Sequence, residues 1–476
     1  MNVLILDVGS SSVRAIIFSE DGAIQKSAKV PYKFTTTPPG AAVIDAEELR
    51  GLVERCLDEV LVSSPEIAAV GIDTFVGNVL GVDGAGRAVT PIYTYADTRS
   101  ADDVIALRAQ IDVRAMHERT GVVHHTAYLP ARLHWLRRVD PVEFARAVHW
   151  IDAGTYLYRH WFGDERIPMS YSVASWSGML NRESLGWDAR WLTLLDLPES
   201  LFPALADYTT AARGLVGDYA RRWRTLAHVP FFLAVGDGAA ANIGSDCDEP
   251  NRIALTLGTT AALRIVSNER RPHVPFGLWH YRVDAERHLI GGATTEGGNI
   301  FQWARETLRL DLTPDLDAEF ARRPADGHGL TFLPLLAGER SPGWSANATG
   351  TIAGLRLSTT PLDLLQAALE GVALRLATIA DQLATPDAAV IGSGGALSPV
   401  WAQIIADALN RPVSVLASEK VITAWGTARL VYEALGVTLG AAQSEIGAVY
   451  SPRPDQVVRL AAAKQRQHEL YRLLYA

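Results

Sequence analysis

The segment from Val235 to Leu263 reads VGDGAAANIGSDCDEPNRIALTLGTTAAL and contains two chemically distinct parts separated by a polar turn. In the first part, Asp237 stands between two glycines at a predicted strand-to-helix junction, where a carboxylate is open to a substrate. In the second part, an apolar strand ends at Gly258-Thr259-Thr260, whose amides and hydroxyls suit phosphate oxygens. A candidate base beside a phosphate cradle favours phosphoryl transfer, whereas either part alone would indicate an ordinary loop or hairpin.

The start of the chain shows the same design. The apolar run Val3–Leu6 predicts a buried strand that delivers Asp7. The turn Gly9-Ser10-Ser11-Ser12 follows, and a second apolar run contains Arg14. An acid before the glycine and three successive hydroxyls favour a phosphate-holding hairpin over a β-hairpin whose turn merely happens to be rich in serine.

These two hairpins form an internal repeat. The segment Asp7–Arg14 recurs in character as Leu257–Arg264, about half a chain later. Such a repeat predicts two similar domains, each contributing one hairpin to a shared nucleotide in the cleft between them. The polar turn near residues 244–251 marks the boundary, so we expect domains at 1–245 and 246–476.

Composition excludes several classes of protein. The 476 residues, 48% hydrophobic and 20% charged, suit a well-buried protein of two or three domains. A net charge of −9 leaves no electrostatic footprint for nucleic acid. Cys56 and Cys247 form neither a disulfide framework nor a metal motif, and His124-His125 lacks further ligands at metal spacing. Asp7 interrupts the apolar start of the chain too early for a signal peptide, and no apolar run is long enough to span a membrane. We therefore expect a cytoplasmic protein that binds neither membrane nor nucleic acid.

Other segments carry candidate binding residues. The loop 91–99 gathers aromatics with Asp97 and Arg99, which suits a polyol ligand or, equally, a loop pinned by an Asp–Arg pair. A predicted strand at 388–391 runs into Gly394-Gly395-Ala396, and a helix follows, so this turn can seat a nucleotide against backbone amides. The glycine spacing is not that of a dinucleotide fingerprint, and no Walker lysine motif occurs. The tryptophans are expected mainly in the core, although some could line a sugar site.

Taken together, the motifs resemble those of the FGGY family of carbohydrate kinases, within the actin/hexokinase-like ATPase superfamily, over nearly the whole chain. The segments that carry the resemblance, all in family order, are Asp7-Val-Gly-Ser-Ser-Ser12, Thr94-Tyr-Ala-Asp-Thr-Arg99, Gly236-Asp237-Gly238, Leu257-Gly-Thr-Thr260, Gly291-Gly-Ala293, Gly338-Glu-Arg-Ser-Pro342, Leu369-Glu-Gly-Val372 and Gly394-Gly-Ala-Leu-Ser-Pro-Val-Trp401. The pattern that follows Gly236 looks most like the gluconate-kinase branch.

The resemblance implies an α/β fold of two ribonuclease H-like (actin/hexokinase-type) domains that bind ATP, Mg²⁺ and a sugar in the interdomain cleft. Residues 1–245 would bind the sugar and supply Asp237 as general base, and residues 246–476 would bind the nucleotide. Asp7 and Asp237 would act on the magnesium. Phosphate and nucleotide contacts would come from Gly9, Ser10, Ser11, Ser12, Arg14, Gly258, Thr259, Thr260, Gly394, Gly395 and Ala396, and sugar contacts from Gly77, Asn78, Asp97 and Asp237.

Two departures concern the substrate. Val76-Gly77-Asn78 replaces the Met-His-Gly or Met-His-Ser of many relatives, and Thr294-Thr-Glu296-Gly-Gly replaces an Asn-Asn-Gly-Gly common in gluconate kinases. We therefore expect ATP-dependent phosphorylation of a sugar, sugar acid or polyol, with gluconate and the ketopentoses xylulose and ribulose as the nearest candidates.

The alternatives are an actin-like ATPase that drives a partner and a catalytically weak sensor of sugar and nucleotide. The ATPase has less support, because Asp237 suits a sugar-facing base and no peptide-binding domain is expected after residue 450. The segment 456–476 predicts an amphipathic helix that docks on its own domain by default, or on a second subunit in a homodimer.

Overall fold

Two mixed β-sheets organise the part of the chain that the structure describes. The structure is a computed structural model, and it describes residues 1–310, 316–383, 385–417, 421–439 and 445–475, without the side chain of residue 317. The strands in chain order are β1 (Asn2–Val8), β2 (Ser12–Ser19), β3 (Ile24–Pro31), β4 (Thr35–Thr37), β5 (Ala41–Ile44), β6 (Ala69–Thr74), β7 (Leu80–Val82), β8 (Ile92–Tyr93), β9 (His149–Ile151), β10 (Met169–Ser170), β11 (Leu205–Ala206), β12 (Ala211–Ala212), β13 (Phe231–Phe232), β14 (Val235–Gly236), β15 (Arg252–Leu257), β16 (Ala261–Ser267), β17 (Trp279–Arg282), β18 (His288–Thr294), β19 (Thr331–Leu333), β20 (Thr351–Ala353), β21 (Ala389–Ser393), β22 (Val413–Leu416) and β23 (Ile446–Tyr450).

Helices cover both sheets. In chain order they are α1 (Ala46–Leu61), α2 (Ala101–Arg108), α3 (Val113–Thr120), α4 (Leu129–Val139), α5 (Pro141–Arg146), α6 (Ala153–Phe162), α7 (Tyr171–Ser175), α8 (Ala189–Leu195), α9 (Gly217–Arg222), α10 (Asp237–Gly244), α11 (Gly298–Thr307), α12 (Leu316–Arg322), α13 (Pro361–Leu383), α14 (Pro399–Leu409), α15 (Ile422–Ala434) and α16 (Pro454–Tyr475), with short 3₁₀ helices at Glu199–Leu201 and Arg224–Leu226. None of these helices is long and apolar enough to cross a membrane.

The first sheet brings three strand ends together. Its strand order is β12-β13-β6-β1-β2-β3, with β14 also paired to β6. Strands β1 and β14 both run parallel to β6, and Asp73 on β6 is the partner of Asp7 on β1 and of Val235 on β14. Because parallel strands end at the same edge of a sheet, Asp7, Asp73 and Asp237, two residues beyond Val235, come together there.

The second sheet repeats this plan in the order β17-β18-β16-β15-β21-β22-β23. The hairpin β15–β16 is antiparallel, and β15 runs parallel to β21 in the same way that β1 of the hairpin β1–β2 runs parallel to β6. The repeat expected from the two glycine-and-hydroxyl turns is therefore a repeat of sheet topology, with each turn at the end of its central strand.

The strongest helices form where their apolar patterns predict them. Helix α1 begins after Asp45, whose side chain accepts a hydrogen bond from the Glu48 amide at 2.9 Å, a standard N-cap. Helix α13 is buried along most of its length in the core of the second sheet. Helix α16 buries Leu460 and Ala463, and the Gln467 side chain donates to the Phe332 carbonyl at 2.8 Å. It docks on its own chain, as expected by default.

Helix α15 links the two halves of the chain. It lies after the second sheet's central strands in sequence, yet Ala424, Ala428, Val431 and Tyr432 pack against Val3, Ile5, Ile16 and Phe18 of the first sheet. Its other contact is helix α10, which begins with Asp237. This packing joins residues far apart in sequence, and no local pattern predicted it.

Candidate active site

A cavity of about 310 Å³ lies between the two sheets and takes lining residues from both halves of the chain. Its charged residues are Asp237, Arg264 and Arg340. Aromatic side chains form much of the remaining wall, namely Tyr95, Tyr128, Trp176, Trp279 and Tyr281. A concave, largely aromatic site with a few convergent charges is typical of a small polar ligand.

Asp237 is the first residue of α10 and lines this cavity. Its Oδ1 accepts a hydrogen bond from the Gly238 amide at 2.7 Å. Burial raises the pKa of Asp237 to about 6, the Gly238 amide and Arg264 oppose the rise, and the nearby Asp7 adds to it. A carboxylate with a pKa just below neutrality is ionised at pH 7 and can accept a proton from a hydroxyl group.

The glycines on either side of Asp237 make room for an aromatic ring. A Cβ on Gly236 would lie 2.8 Å from the Trp176 indole nitrogen, and a Cβ on Gly238 would lie 2.9 Å from the Trp176 ring. The sequence suggested that these glycines leave Asp237 unobstructed. The structure gives them a second purpose, since they allow the indole to lie directly against the backbone that carries Asp237.

Two further carboxylates lie behind Asp237. Burial and the neighbouring Asp7 raise the pKa of Asp73 well above its ordinary value, and Thr427 on α15 donates to Asp73 Oδ2 at 2.7 Å. Burial also raises the pKa of Asp7, while Arg14, 3.3 Å from Asp7 Oδ2, opposes that rise. Only the sheet register, in which Asp7 is the partner of Asp73, brings these two carboxylates together.

In each hairpin, an arginine on the second strand contacts a side chain on the first strand. Arg14 pairs with Asp7, and Arg264 donates from its terminal nitrogen to Thr256 Oγ1 at 2.6 Å. Arg264 also donates from Nε to Asn242 Oδ1 at 2.9 Å, which fixes its buried guanidinium beside Asp237. The arginine of the second hairpin therefore brings positive charge to the cavity beside Asp237.

In each turn the glycine amide donates a hydrogen bond to a carbonyl at the far end of the turn. The Gly9 amide donates to the Ser12 carbonyl at 3.1 Å, and the Gly258 amide donates to the Thr260 carbonyl at 3.0 Å. Ser10, Ser11, Thr259 and Thr260 are exposed, so their hydroxyls are accessible to a ligand, and Thr260 reaches the cavity.

The predicted adenosine loop lies beside the second turn. The Ala396 amide donates to the Leu257 carbonyl at 3.1 Å. Gly394 has a φ of +115°, and a Cβ there would fall against the backbone of Leu257, so glycine is required. A Cβ on Gly395 would meet open space. The structure therefore brings together the turn Gly258–Thr260 and the loop Gly394–Ala396, at the ends of the paired strands β15 and β21.

On the sugar side, the structure brings Gly77 to the cavity with Asp237 but places Asn78 and Asp97 outside its lining. Asp97 accepts hydrogen bonds from the Ala42 amide at 3.2 Å and from the Arg99 guanidinium at 2.6 Å. Asn78 Oδ1 accepts from the Ala153 amide at 2.8 Å. The loop pinned by an Asp–Arg pair is therefore present, and direct sugar contacts by Asn78 and Asp97 stay predictions.

Position 77 leaves little room for a side chain. Gly77 has a φ of +66°, and a Cβ there would lie 3.0 Å from the Ala127 carbonyl oxygen and 3.2 Å from Tyr95 Cβ. Tyr95, from the Thr94–Arg99 segment, thus occupies the neighbourhood that a longer residue at 77 would enter. Glycine at position 77 therefore fits the packing of Ala127 and Tyr95 around it.

The sequence predicted that some tryptophans could line a sugar site, but it did not predict which aromatic rings form the cavity wall. The rings of Trp176 and Tyr281 stack with centroids 3.6 Å apart, Tyr281 and Trp279 stack at 4.6 Å, and the hydroxyls of Tyr281 and Tyr128 are 2.7 Å apart. One signal was available, since Trp279-His-Tyr-Arg282 alternates aromatic and basic residues with the period of a strand. The segment 170–177, which had no assigned role, forms α7 and positions Trp176.

Comparison with known proteins assigns this architecture. The N-terminal domain model of the FGGY family of carbohydrate kinases matches residues 2–244, and the C-terminal domain model of that family matches residues 253–434. The chain belongs to the FGGY family of carbohydrate kinases. This FGGY kinase is 26% identical to a gluconokinase from Bacillus subtilis (strain 168), over 86% of this chain and 83% of that protein. It is 25% identical to a xylulose kinase from Escherichia coli (strain K12), over 99% and 98% of the two chains.

Solved structures share the fold of this FGGY kinase. A gluconate kinase and a ligand-bound xylulose kinase, both from Lactobacillus acidophilus, each superpose with a TM-score of 0.92 at 24% identity, covering 100% of this chain and 98% of theirs. The two-domain α/β fold of the actin/hexokinase type is confirmed.

Family membership also confirms the reaction class. The FGGY kinase is a phosphotransferase with an alcohol group as acceptor, and it phosphorylates a sugar or sugar acid with ATP as the donor. The actin-like ATPase and the sugar and nucleotide sensor are not favoured by these relatives.

Proposed function

We propose that this FGGY kinase transfers a phosphoryl group from ATP to a hydroxyl of a sugar acid, with gluconate as the first candidate and Asp237 as the general base. The observation that carries the proposal is the cavity itself, in which one carboxylate with a pKa of about 6 is opposed by two arginines, Arg264 and Arg340. Such a charge balance suits an acceptor that is itself an anion.

At the phosphoryl end, the chain's own residues position the reactants. The acceptor hydroxyl donates its proton to Asp237 as its oxygen attacks the terminal phosphorus of ATP. The bond from that phosphorus to the bridging oxygen of the β-phosphate breaks and ADP leaves, while Arg264 neutralises negative charge on the transferred group. The turns Gly9–Ser12 and Gly258–Thr260, together with Arg14, hold phosphate oxygens. The loop Gly394–Ala396 supports the adenosine. This assignment follows from their positions on the strand ends around the cavity.

Magnesium fits the same residues. Asp7 and Asp237 offer oxygen ligands of the type that Mg²⁺ prefers, and Asp73 lies beside Asp7 with a pKa raised well above its ordinary value by burial and by Asp7. Among the described residues no cluster of three protein ligands forms a closed cage. This suits Mg²⁺ that binds mainly to nucleotide phosphates and water with one or two carboxylates. When bound, it would neutralise charge on the phosphate oxygens.

At the acceptor end, Arg340 is the residue that we assign to a carboxylate. Its neighbour Glu339 is held by Arg375 and by the Tyr471 hydroxyl, so that carboxylate is already paired. Within the described chain no side chain pairs with the guanidinium of Arg340, which lines the cavity. Burial raises the pKa of Tyr128 to about 12 and Arg340 opposes the rise, which indicates that its charge acts on the cavity wall.

A ketopentose such as xylulose or ribulose is the second candidate. The stacked rings of Trp176, Tyr281 and Trp279 suit an uncharged polyol as well, and a xylulose kinase is among the relatives. The two candidates can be distinguished at Arg340, because only the sugar acid gives its guanidinium an ion-pair partner.

A substrate panel with one variant pair tests the proposal. ADP release is measured with gluconate, xylulose, ribulose and glycerol for the wild type, Arg340→Gln and the exposed control Arg356→Gln. We expect gluconate to give the highest kcat/KM, and Arg340→Gln to lower it about 10-fold or more for gluconate and much less for the ketopentoses. The control should match the wild type. A ketopentose preference would favour the second candidate, and folded protein that releases no ADP with any acceptor would overturn the assignment of this site.

Three further expectations stay proposals. The division into domains at 1–245 and 246–476 is compatible with family matches that end at 244 and begin at 253. A cytoplasmic location is supported by Cys56 and Cys247, which are both buried free thiols. A homodimer is a further proposal. The buried residues of α16 pack against its own chain, so a second subunit would contact other residues.

A further inference from the structure

Strand β17 has a cavity on each of its faces. Trp279 and Tyr281 line the substrate cavity, whereas His280 and Arg282 line a second cavity of about 400 Å³ on the opposite side. This division follows from the two-residue period of a strand. The second cavity shares no lining residue with the first.

Arginines dominate the second cavity. Arg182 comes from the first half of the chain, whereas Arg270, Arg271 and Arg282 come from the second half. The acidic lining residues are Glu183 and Glu286, both exposed, so the arginines outnumber them. A pocket of this sign, built across both halves of the molecule, concentrates anions.

The floor of the cavity is a buried guanidinium with a spare donor. Arg282 is 5% exposed, and its terminal nitrogens donate to the Ala285 carbonyl at 2.9 Å and the Arg182 carbonyl at 2.6 Å. Its Nε is buried without a hydrogen-bond partner in the described structure. A buried unsatisfied donor on a charged group is costly, and because this Nε is closed to solvent only an acceptor within the fold could satisfy it directly. The positive charge of Arg282 nevertheless attracts an anion to the cavity.

The histidines beside Arg282 do not supply that acceptor. Arg282 lies 3.3 Å from His288 Nε2 through its terminal nitrogen, and His288 Nδ1 is 2.7 Å from His280 Nε2. Burial and Arg282 lower the pKa of His288 to about 4, so the pair is neutral at pH 7. His288 then accepts from Arg282 and donates to His280, which holds the guanidinium in place and leaves Nε free.

The rim arginines are also weakly compensated. Arg271 and Glu183 are 4.0 Å apart with both side chains exposed, an arrangement that contributes little. Among the described residues, the Arg182 guanidinium donates a single hydrogen bond, to the Pro272 carbonyl at 3.5 Å. Arg270 is exposed, and no described residue forms a hydrogen bond or an ion pair with its side chain. These guanidinium groups can therefore turn toward a ligand without first breaking a strong pair.

We propose that this cavity, lined by Arg182, Arg270, Arg271 and Arg282, is a second binding site for a small dianion or trianion of the phosphate or polycarboxylate type, separate from the ATP and sugar sites. Arginine recognises both groups through paired hydrogen bonds. The ligand bridges the two halves of the chain and contacts the strand whose other face forms the aromatic wall. Its binding therefore changes the affinity for the sugar, with the magnitude set by the differential contact in the two states.

Calorimetry tests the site directly. Inorganic phosphate and tricarballylate are titrated separately, at constant ionic strength, into protein saturated with a non-hydrolysable ATP analogue and Mg²⁺, so that the phosphate positions of the active site are filled. We expect one ligand per chain in at least one titration. Tighter binding of phosphate would identify the phosphate class, and tighter binding of tricarballylate would identify the polycarboxylate class.

Variants of the cavity arginines distinguish a loss of anion binding from a failure to fold. The double variant Arg270→Gln/Arg271→Gln changes exposed residues and should weaken binding about 10-fold or more, whereas Arg55→Gln, an exposed arginine on α1, should leave it unchanged. Arg282→Gln should abolish binding, and the rim variant stays informative if Arg282→Gln fails to fold. No heat in either titration, or equal affinity in wild type and rim variant, would overturn the site.

The coupling has its own readout. The KM for the preferred sugar should shift with added phosphate or tricarballylate in the wild type and not in the rim variant. A KM for the sugar that does not change when the anion is added would overturn the coupling. The binding measurement does not depend on which sugar is phosphorylated, so its failure is distinguishable from failure of the proposed function.

Discussion

Gly426 on α15 lies directly against Ala240 on α10, so closely that a Cβ on Gly426 would lie 2.7 Å from the Gly244 amide nitrogen and closer still to the Ala240 carbonyl oxygen. Gly244 meets Ile422 in the same way. The crossing fixes the helix that begins with Asp237 against a helix that also packs on β1 and β6. The next residue, Thr427, donates to Asp73 at 2.7 Å. One close helix crossing thus positions the carboxylates of the site relative to each other.

The crossing predicts a sharp difference between two glycine substitutions. Gly426→Ala should lower the free energy of unfolding by about 2 kcal/mol or more, because backbone atoms on α10 cannot move away from the new methyl group. Gly51→Ala in α1 meets nothing within 4 Å and should raise it by about 0.5–1 kcal/mol, the usual gain of alanine over glycine in a helix. Urea denaturation of both variants measures this, and equal effects would contradict the close packing of α10 and α15.

Replacement of the candidate base should separate catalysis from binding. Asp237→Asn keeps the size of the side chain but cannot accept the hydroxyl proton, so kcat with the preferred acceptor should fall about 10²–10⁴-fold. The affinity for ATP, measured by calorimetry, should change little, because the phosphate turns lie on other strands. Turnover within a few-fold of the wild type would remove Asp237 from the role.

The pH dependence of catalysis should report the same residue. Since burial raises the pKa of Asp237 to about 6, kcat/KM should be constant above that pH and fall about tenfold per pH unit below it. The residual activity of Asp237→Asn should lack this step. A wild-type profile that stays flat down to pH 4.5 would show that a different group accepts the proton.

The free energy of unfolding should fall as the pH rises, whereas kcat/KM should rise. The pKa of Asp237 is higher in the folded protein than its ordinary value of 3.8, so ionisation of this group favours the unfolded chain as the pH rises from about 4 to about 6. Asp237→Asn should therefore exceed the wild type in free energy of unfolding at pH 7.5, by on the order of 1 kcal/mol. The difference should vanish near pH 3.5. An Asp237→Asn variant that is less stable at pH 7.5 would contradict the raised pKa.

The aromatic wall predicts an effect on sugar affinity. Trp176→Ala removes the ring that stacks on Tyr281 at 3.6 Å and forms one side of the cavity, so the KM for the sugar should rise about tenfold or more. The KM for ATP should change much less. Trp303→Ala, a partly exposed tryptophan outside the lining, is the control and should leave both values near those of the wild type. An equal rise in both KM values would indicate general disruption rather than loss of a sugar contact.

Local patterns predicted much of the fold. Asp45 before an amphipathic run predicted α1, the apolar run Val3–Leu6 predicted β1, and the two glycine-and-hydroxyl turns predicted a repeated topology. These features succeed because capping, apolar periodicity and turn chemistry act over a few residues. The packing of α15 on the first sheet, the pairing of Thr427 with Asp73 and the stacking of Trp176 on Tyr281 depend on residues more than one hundred positions apart, and no local signal encodes them.

Predictions for the site divide in the same way. Asp237, Gly77 and Thr260 line the cavity together with Arg340, whereas Asp97 lies outside the lining and is paired with Arg99, and the binding roles of these residues stay predictions. A motif specifies which residue types are present, but the direction of a side chain depends on what packs around it.

The sequence by itself determined the family and the phosphoryl-transfer chemistry and predicted Asp237 as the general base, because a carboxylate between glycines and two hydroxyl-rich turns are short-range features. The tertiary structure alone decided which carboxylates share a strand edge, which aromatic rings line the cavity and that β17 presents arginine to a second cavity. Those outcomes depend on sheet register and helix crossing, and both are set by packing between segments that meet only in the folded chain.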